Sequence, residues 1–221
     1  MITVHHLENS RSQRILWLLE ELGVDYEVRR YERDKKTNLA PPELLQVHPL
    51  GKSPVITHGD QTIAESGLIV EYLVEKFDTG RLAPPRESAE GLQLRYWLHY
   101  AEGTLMPFLV ISLILNRIET APVPFFIKPI AKGIAAKARD AYSGPNIRRN
   151  LDYLENHLAE TGWFCGNDLS AADIMLSFPL ETAAARIGFS AEHRNLRAFL
   201  EKIKARPAYR RALERGGPYD Y

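Results

Sequence analysis

A single amphipathic segment most restricts how this chain can begin to fold. Ile15, Leu18, Leu19 and Leu22 fall at i, i+3, i+4 and i+7 and make one buried helical stripe. Gly23 follows where a left-handed residue closes a helix. On either side lie ITVHH (2–6) and YEVRRY (26–31), with the β-branched and aromatic content of strands. Strand, helix and strand with such short connections point to a right-handed βαβ unit with parallel pairing. The next elements are a short helix in PPELLQVH (41–48), two short strands, PVIT and QTIA, joined by the turn HGD, and a helix over SGLIVEYLVEKF (66–77). The order βαβ, connecting helix, ββα predicts a small α/β sandwich.

DTGRLAPPRES (78–88) is rich in glycine, proline and charge and reads as a linker. No strand pattern follows it. Residues 91–118 read as one long helix bent at Pro107, and 128–161 as helical with interruptions near Gly144 and Pro145. Leu196, Phe199, Leu200 and Ile203 repeat the helical stripe. The expectation is an α/β domain over 1–79 and an all-α domain over 88–221, and 221 residues suffice to bury a core in each. In GNDLSAADIMLSF, Ser170 and Asp173 have capping-box spacing, with Leu169 and Ile174 placed as a hydrophobic staple.

Charge and cysteine usage narrow the function classes. Lys plus Arg equal Asp plus Glu at 28 each, with no basic stripe, which argues against nucleic acid as the main partner. The one cysteine, Cys165, excludes an internal disulfide, a CxxC redox pair and a thiolate metal cluster, so no metal is expected. A reducing compartment fits. Residues 1–20 lack the pattern of a signal peptide. The most apolar run, LMPFLVISLIL (105–115), falls short of the roughly 20 residues that span a bilayer. It reads as a core helix, with surface contact to a membrane left open.

Three places can carry chemistry. Ser10 and Gln13 have capping-box spacing, so Ser10 reads either as a helix cap alone or as a hydroxyl that donates to an anion held at the helix's positive end. Pro54, in GKSPVI (51–56), opens a strand. Residue statistics make its peptide bond trans, whereas a cis bond would turn the Ser53 backbone outward to pair with an extended peptide-like ligand. Glu65 and Ser66, in AESG (64–67), read as an ordinary helix start, or as a pair taking the ammonium and carboxylate of an α-amino acid.

These segments, in this order and spacing, resemble the cytosolic glutathione transferases along nearly the whole chain. ESG after PLGKSPVI, followed by WFCGNDLSAADI, is a specific combination where any one piece is not. The serine-containing start and the insert PVPFFIKPIAKG (122–133) look closest to a fungal and bacterial branch of serine-type members. The resemblance implies a thioredoxin-like N-terminal domain, a cis Pro54, the Ser53 main chain on the cysteinyl part of glutathione, Lys52 on a carboxylate, and Glu65 with Ser66 on the γ-glutamyl end. It places Ser10 at the sulfur, four residues before Arg14, with Ser12 as rival and His6 and Asn9 as minor candidates. No cysteine lies at 6–14 and no tyrosine at 1–25, so the cysteine and tyrosine types look absent.

A hydrophobic second substrate would lie against the helical domain. Tyr96, Tyr100, Leu105, Met106 and Phe108 are candidates, each equally readable as core. The implied activity is glutathione transfer to an electrophile. Alternatives are glutathione-dependent peroxidase activity, or a protein that binds glutathione and apolar ligands without turnover. The resemblance further implies a cytoplasmic homodimer with glutathione as co-substrate.

Overall fold

The computed structural model describes residues 1–217; the expected helical domain's last four residues, 218–221, lie outside the described part. β1 (Ile2–Leu7), α1 (Gln13–Leu22) and β2 (Tyr26–Tyr31) form the βαβ unit, with the strands parallel and Ile2 opposite Tyr26. After α2 (Glu43–Val47), β3 (Val55–His58) runs antiparallel to β1, and β4 (Gln61–Ala64) runs antiparallel to β3. The sheet order is β2-β1-β3-β4. Alternation along β1 separates its two faces. Ile2 and Val4 join α1 and α3 (Ser66–Phe77) in the main core, while Leu7 meets Tyr31 and Leu44 of α2 in a small second cluster. The helix α1 ends as expected, with Gly23 at φ 69° and its N–H on the Leu19 carbonyl.

The glycine- and proline-rich connection is tied down. The Asp78 carboxylate accepts the backbone N–H groups of Arg81, Leu82 and Ala83, and Ala171 donates its N–H to the Leu82 carbonyl at 2.8 Å.

All that follows is helical. α4 (Ala89–Tyr100) continues through a π turn (Ala101–Leu105) into α5 (Met106–Thr120). The bend expected at Pro107 is replaced by that π turn just ahead of it. Pro107 sits in the first turn of α5, and the widened turn accommodates a residue without an N–H. The interruption near Gly144 has the same form, with a π turn (Arg139–Ser143) between α6 (Lys128–Ala138) and α7 (Gly144–Thr161). α8 (Ala171–Arg186), α9 (Arg194–Lys204) and α10 (Pro207–Gly216) complete the described chain.

The apolar run at 105–115 packs one side into the core, as expected. Only Met106, Leu109 and Ser112 of α5 are buried, and Val110, Ile114 and Ile118 face outward, so this is a core helix on one side only. The run is too short for a bilayer, but the continuous helix that carries it, Ala89–Thr120, is long and apolar enough by length and composition to cross one.

The helix α8 is the central post, buried without a break from Ala171 to Ala183. Its capping box forms as the sequence predicts. The Asp173 carboxylate accepts the Ser170 N–H at 2.8 Å, the Ser170 hydroxyl at 2.7 Å and the Phe164 N–H at 2.8 Å. Leu169 and Ile174 are both in the core, as a staple requires. Burial pushes the Asp173 carboxyl up to about 6. Asp173→Ala leaves two buried N–H groups without their acceptor, and thermal unfolding is expected to show a loss of about 2 kcal/mol.

Candidate active site

The turn before β3, the end of β4, the start of α3 and the π turn after α4 border an open cleft of about 250 Å³. Its wall comprises Arg11, His48, Leu50, Lys52, Ser53, Pro54, Ala64, Glu65, Ser66 and Glu102. Segments 52–54 and 64–66, brought together by the β3–β4 hairpin that pairs Val55 with Ala64, line one cleft. The Ser53–Pro54 bond is cis, against the residue statistics. The Ser53 hydroxyl donates to the His5 carbonyl at 2.8 Å and accepts the Leu7 N–H at 3.2 Å, which anchors the turn to β1. Among the described residues no hydrogen bond uses the Ser53 backbone N–H or carbonyl, and both are left for a ligand. Gly51, at φ 55°, takes the left-handed conformation that favours glycine in the turn leading to Ser53.

Glu65 caps α3 with φ 71° and ψ 121°, a conformation that costs about 1–3 kcal/mol for a side-chain-bearing residue. Such strain gathers at binding sites, and here the exposed Glu65 carboxylate borders the cleft. Ser66, at the start of α3, is buried. Its hydroxyl accepts from the Arg14 guanidinium at 3.0 Å and keeps its own proton to donate.

The two serines do not cap α1 as the sequence suggested. Ser12 occupies the cap position without a side-chain bond, and the buried Gln13 amide has no hydrogen-bond partner, so the Ser10–Gln13 box is absent. The local preference is overridden by a longer-range network. His6 Nε2 lies 3.0 Å from the Gly216 carbonyl, His6 Nδ1 lies 2.8 Å from the Ser12 hydroxyl, and the Ser12 and Ser10 hydroxyls are 2.7 Å apart. A carbonyl only accepts, so the proton of neutral His6 sits on Nε2 and Nδ1 accepts from Ser12. Ser12, its one proton committed, then accepts from Ser10. The Ser10 oxygen also accepts the Ser12 N–H at 3.3 Å. Burial is the main cause that lowers the His6 imidazole to about 4, with Arg30 adding to it against the Gly216 bond. His6 is therefore neutral at physiological pH. Neither serine forms part of the cleft wall, but Arg11 between them does.

An ion-pair network joins the two halves of the chain behind this cleft. Arg14, fully buried, donates to Ser66, to Glu102 and, at 2.7 Å, to the Met175 carbonyl of α8. Arg11 reaches the other Glu102 oxygen at 2.9 Å. Burial alone would raise the Glu102 carboxyl, but the Arg14 and Arg11 guanidiniums reverse this and hold it below the usual carboxylate range. Arg11, His48 and Glu102 are the site residues that sequence reasoning did not single out. For Glu102 the one signal was a lone acid directly before a long apolar run.

Of the residues expected to line a second-substrate pocket, Tyr96 and Tyr100 share one open surface groove, with their rings 5.8 Å apart, and the others are dispersed. Tyr100, Leu105 and Met106 are buried, with Tyr100 donating to the Asn150 side chain. Phe108 is half-buried, with its ring 5.7 Å from that of Tyr142. Tyr96 is 47% exposed on an adjoining surface with Leu92, His99 and Thr104. Cys165 is a packing residue. Its thiol donates to the Glu90 carbonyl, and burial, with Asp173 and Glu90 nearby, pushes it up to about 11.

Comparison with known proteins agrees with the fold. Residues 1–75 match the model of the glutathione S-transferase N-terminal domain, and residues 116–207 that of the C-terminal domain. Glutathione S-transferase 3 of Schizosaccharomyces pombe is 35% identical over 97% of this chain and 88% of its own length. Glutathione S-transferase 1 of Saccharomyces cerevisiae is 37% identical over 84% and 82%. A solved glutathione S-transferase of Actinobacillus pleuropneumoniae superposes with a TM-score of 0.80 at 32% identity, covering 99% of this chain and 94% of that one. A sphingomonad glutathione S-transferase, solved in complex with glutathione, has the same fold at 24% identity and a TM-score of 0.76, covering 97% of this chain and 98% of its own. With a thioredoxin-like sheet, an all-helical second half and relatives aligned over nearly its full length, the chain belongs to the glutathione S-transferase family.

Proposed function

We propose that this protein ionises the thiol of glutathione and directs it at a hydrophobic electrophile. The observation that carries the reading is that one cleft gathers the exposed Lys52, the free Ser53 backbone, Glu65 and Ser66. That set suits a tripeptide, which has a carboxylate at one end, a peptide middle and an α-amino acid at the other. Residues 1–79 form the glutathione-binding unit in this reading, and 88–221 supply the apolar side.

Ser10, rather than Ser12, donates to the sulfur. The Ser12 proton is committed to His6, whereas the Ser10 proton goes to a neutral hydroxyl and can be transferred to an anion by rotating one bond. The N-terminus of α1 adds partial positive charge with no acid in its first turn. A free thiol, with a pKa of about 8.5, is only a few per cent thiolate at neutral pH. A fall of about two units makes roughly three-quarters of it thiolate and requires about 2.7 kcal/mol, within the range of one charge-assisted hydrogen bond plus a helix terminus. The thiol proton leaves to solvent, so no His–Asp pair is needed. The thiolate sulfur then forms a bond to the electrophilic carbon as the leaving group departs. Tyr96 and Tyr100, which line one open groove along α4, and the half-buried Phe108 at the start of α5 are assigned to the electrophile's wall, with Met106 in the core behind. An organic hydroperoxide would react at the same sulfur. The reduced glutathione of a cytoplasm supplies the co-substrate, and the working unit is a homodimer.

The test is retention on immobilised glutathione together with conjugation to a chlorinated nitroaromatic. The chain is expected to do both, and Glu65→Ala to weaken retention about tenfold through loss of one charged hydrogen bond. Retention without conjugation would leave the non-catalytic binding protein as the surviving reading. Absence of both would sink the proposal.

A further inference from the structure

The outward side of α6 and the turn before it present a surface that the thiol chemistry does not use. Phe125 is 87% exposed and Phe126 63%, with their rings edge to face at 5.6 Å. Ile127, Ile130 and Ile134 follow at i, i+3 and i+7, one helical stripe, yet Ile130 and Ile134 are 61% and 63% exposed. Ala135 is the only buried residue of α6, so this stripe faces away from the core. Lys128, Lys132 and Lys137 are all exposed and none makes an ion pair within 4 Å among the described residues, although Lys132 is close enough to the Glu119 carboxylate to act on it. The sequence from Ala121 to Arg139 contains no acid, although acids balance bases over the whole chain. Arg139 is engaged by Glu119 at 2.8 Å and is left out of this count.

We propose that α6 and the turn before it dock on an anionic lipid bilayer. Apolar rings and isoleucines beside unpaired lysines are the makeup of a helix that lies in a bilayer interface. The rings enter the boundary between headgroups and acyl chains, and the lysines extend along it to the phosphates. The charge decides between this occupant and a second copy of the chain. A two-fold contact between copies of this segment would offer its lysines no acid, since residues 121–139 hold none, whereas anionic headgroups complement them. Isolated apolar side chains on a surface require no explanation, but a contiguous aromatic and aliphatic patch does.

Co-sedimentation of the full chain with vesicles tests this, using phosphatidylcholine alone and an equal mixture of phosphatidylcholine and phosphatidylglycerol. Binding is expected to the mixed vesicles, to weaken with added salt, and to be slight on phosphatidylcholine alone. Exchange of Lys128, Lys132 and Lys137 for glutamine is expected to weaken it about a hundredfold. Phe125→Ser with Phe126→Ser is expected to weaken it about tenfold or more. Conjugation activity in vesicle-free buffer and sedimentation velocity of the phenylalanine variant serve as controls, and both are expected to match the wild type. Failure of the unmodified chain to bind mixed vesicles overturns the proposal. So does a smaller oligomer in the phenylalanine variant, which would make this face a contact between copies.

Discussion

Ser10→Ala is expected to cut the conjugation rate about thirtyfold at pH 6.5 and to leave it almost unchanged at pH 9. The size follows from one charge-assisted hydrogen bond, about 2.5 kcal/mol, which corresponds to a rise of roughly 1.8 in the pKa of the bound thiol. Where the wild type is half thiolate the variant is mostly thiol, and at high pH both are ionised, so the deficit closes. Ultraviolet titration of the thiolate in the binary complex measures the shift directly, and the Michaelis constant for glutathione is expected to move little. Ser12→Ala should behave differently, with a rate loss under about threefold, because its proton serves His6 rather than the ligand. If Ser12→Ala shows the pH-dependent deficit and Ser10→Ala does not, the direction assigned to the hydroxyl chain is reversed.

Replacing Arg14 by alanine is expected to cost about 3 kcal/mol of stability and to raise the Michaelis constant for glutathione as well. The guanidinium is fully buried and serves three elements at once: the Ser66 hydroxyl of α3, the Met175 carbonyl of α8 and Glu102 in the π turn. Its loss strands polar groups on each. Glu102 is 29% exposed and keeps Arg11, which places the effect at the lower end for a broken buried pair. In a chain of this length such a loss lowers the melting temperature by roughly 6–12 °C. Arg14→Lys should recover less than half, since an ammonium cannot serve three diverging acceptors in the geometry of a planar fork. The pH dependence has a definite sign. Glu102 titrates below its unfolded value, so its pairing stabilises the fold fully above the ordinary glutamate range and is lost as pH falls through the lowered value. The arginine variant should therefore show a flatter acid limb in denaturation. Wild-type stability together with wild-type glutathione binding in Arg14→Ala would show that the network positions nothing.

The site was legible where a segment makes its own geometry. The Ser170–Asp173 box forms because both partners lie within one helical turn, and the hairpin over 55–64 forms because Gly59 and Asp60 turn two short strands back on each other. Glu65 and Ser66 were legible for the same reason, standing at the start of a helix that periodicity locates. Glu102 was not legible, since nothing local distinguishes it from a solvated acid until Arg11 and Arg14 arrive from ninety residues away in sequence.

From the amino-acid order alone came the βαβ and ββα units, the helical second half, the α8 cap and the candidate groups for a tripeptide. Periodicity, turn residues and caps act over distances the chain covers within a few residues. The tertiary structure alone decided that Ser10 abandons its capping box for a hydroxyl chain running through His6 to Gly216, that Glu102 borders the cleft, and that an apolar helix is half uncovered. The hydroxyl chain is anchored through His6 on Gly216, 210 residues away, and contacts made only on folding outweigh a local capping preference of about 1 kcal/mol.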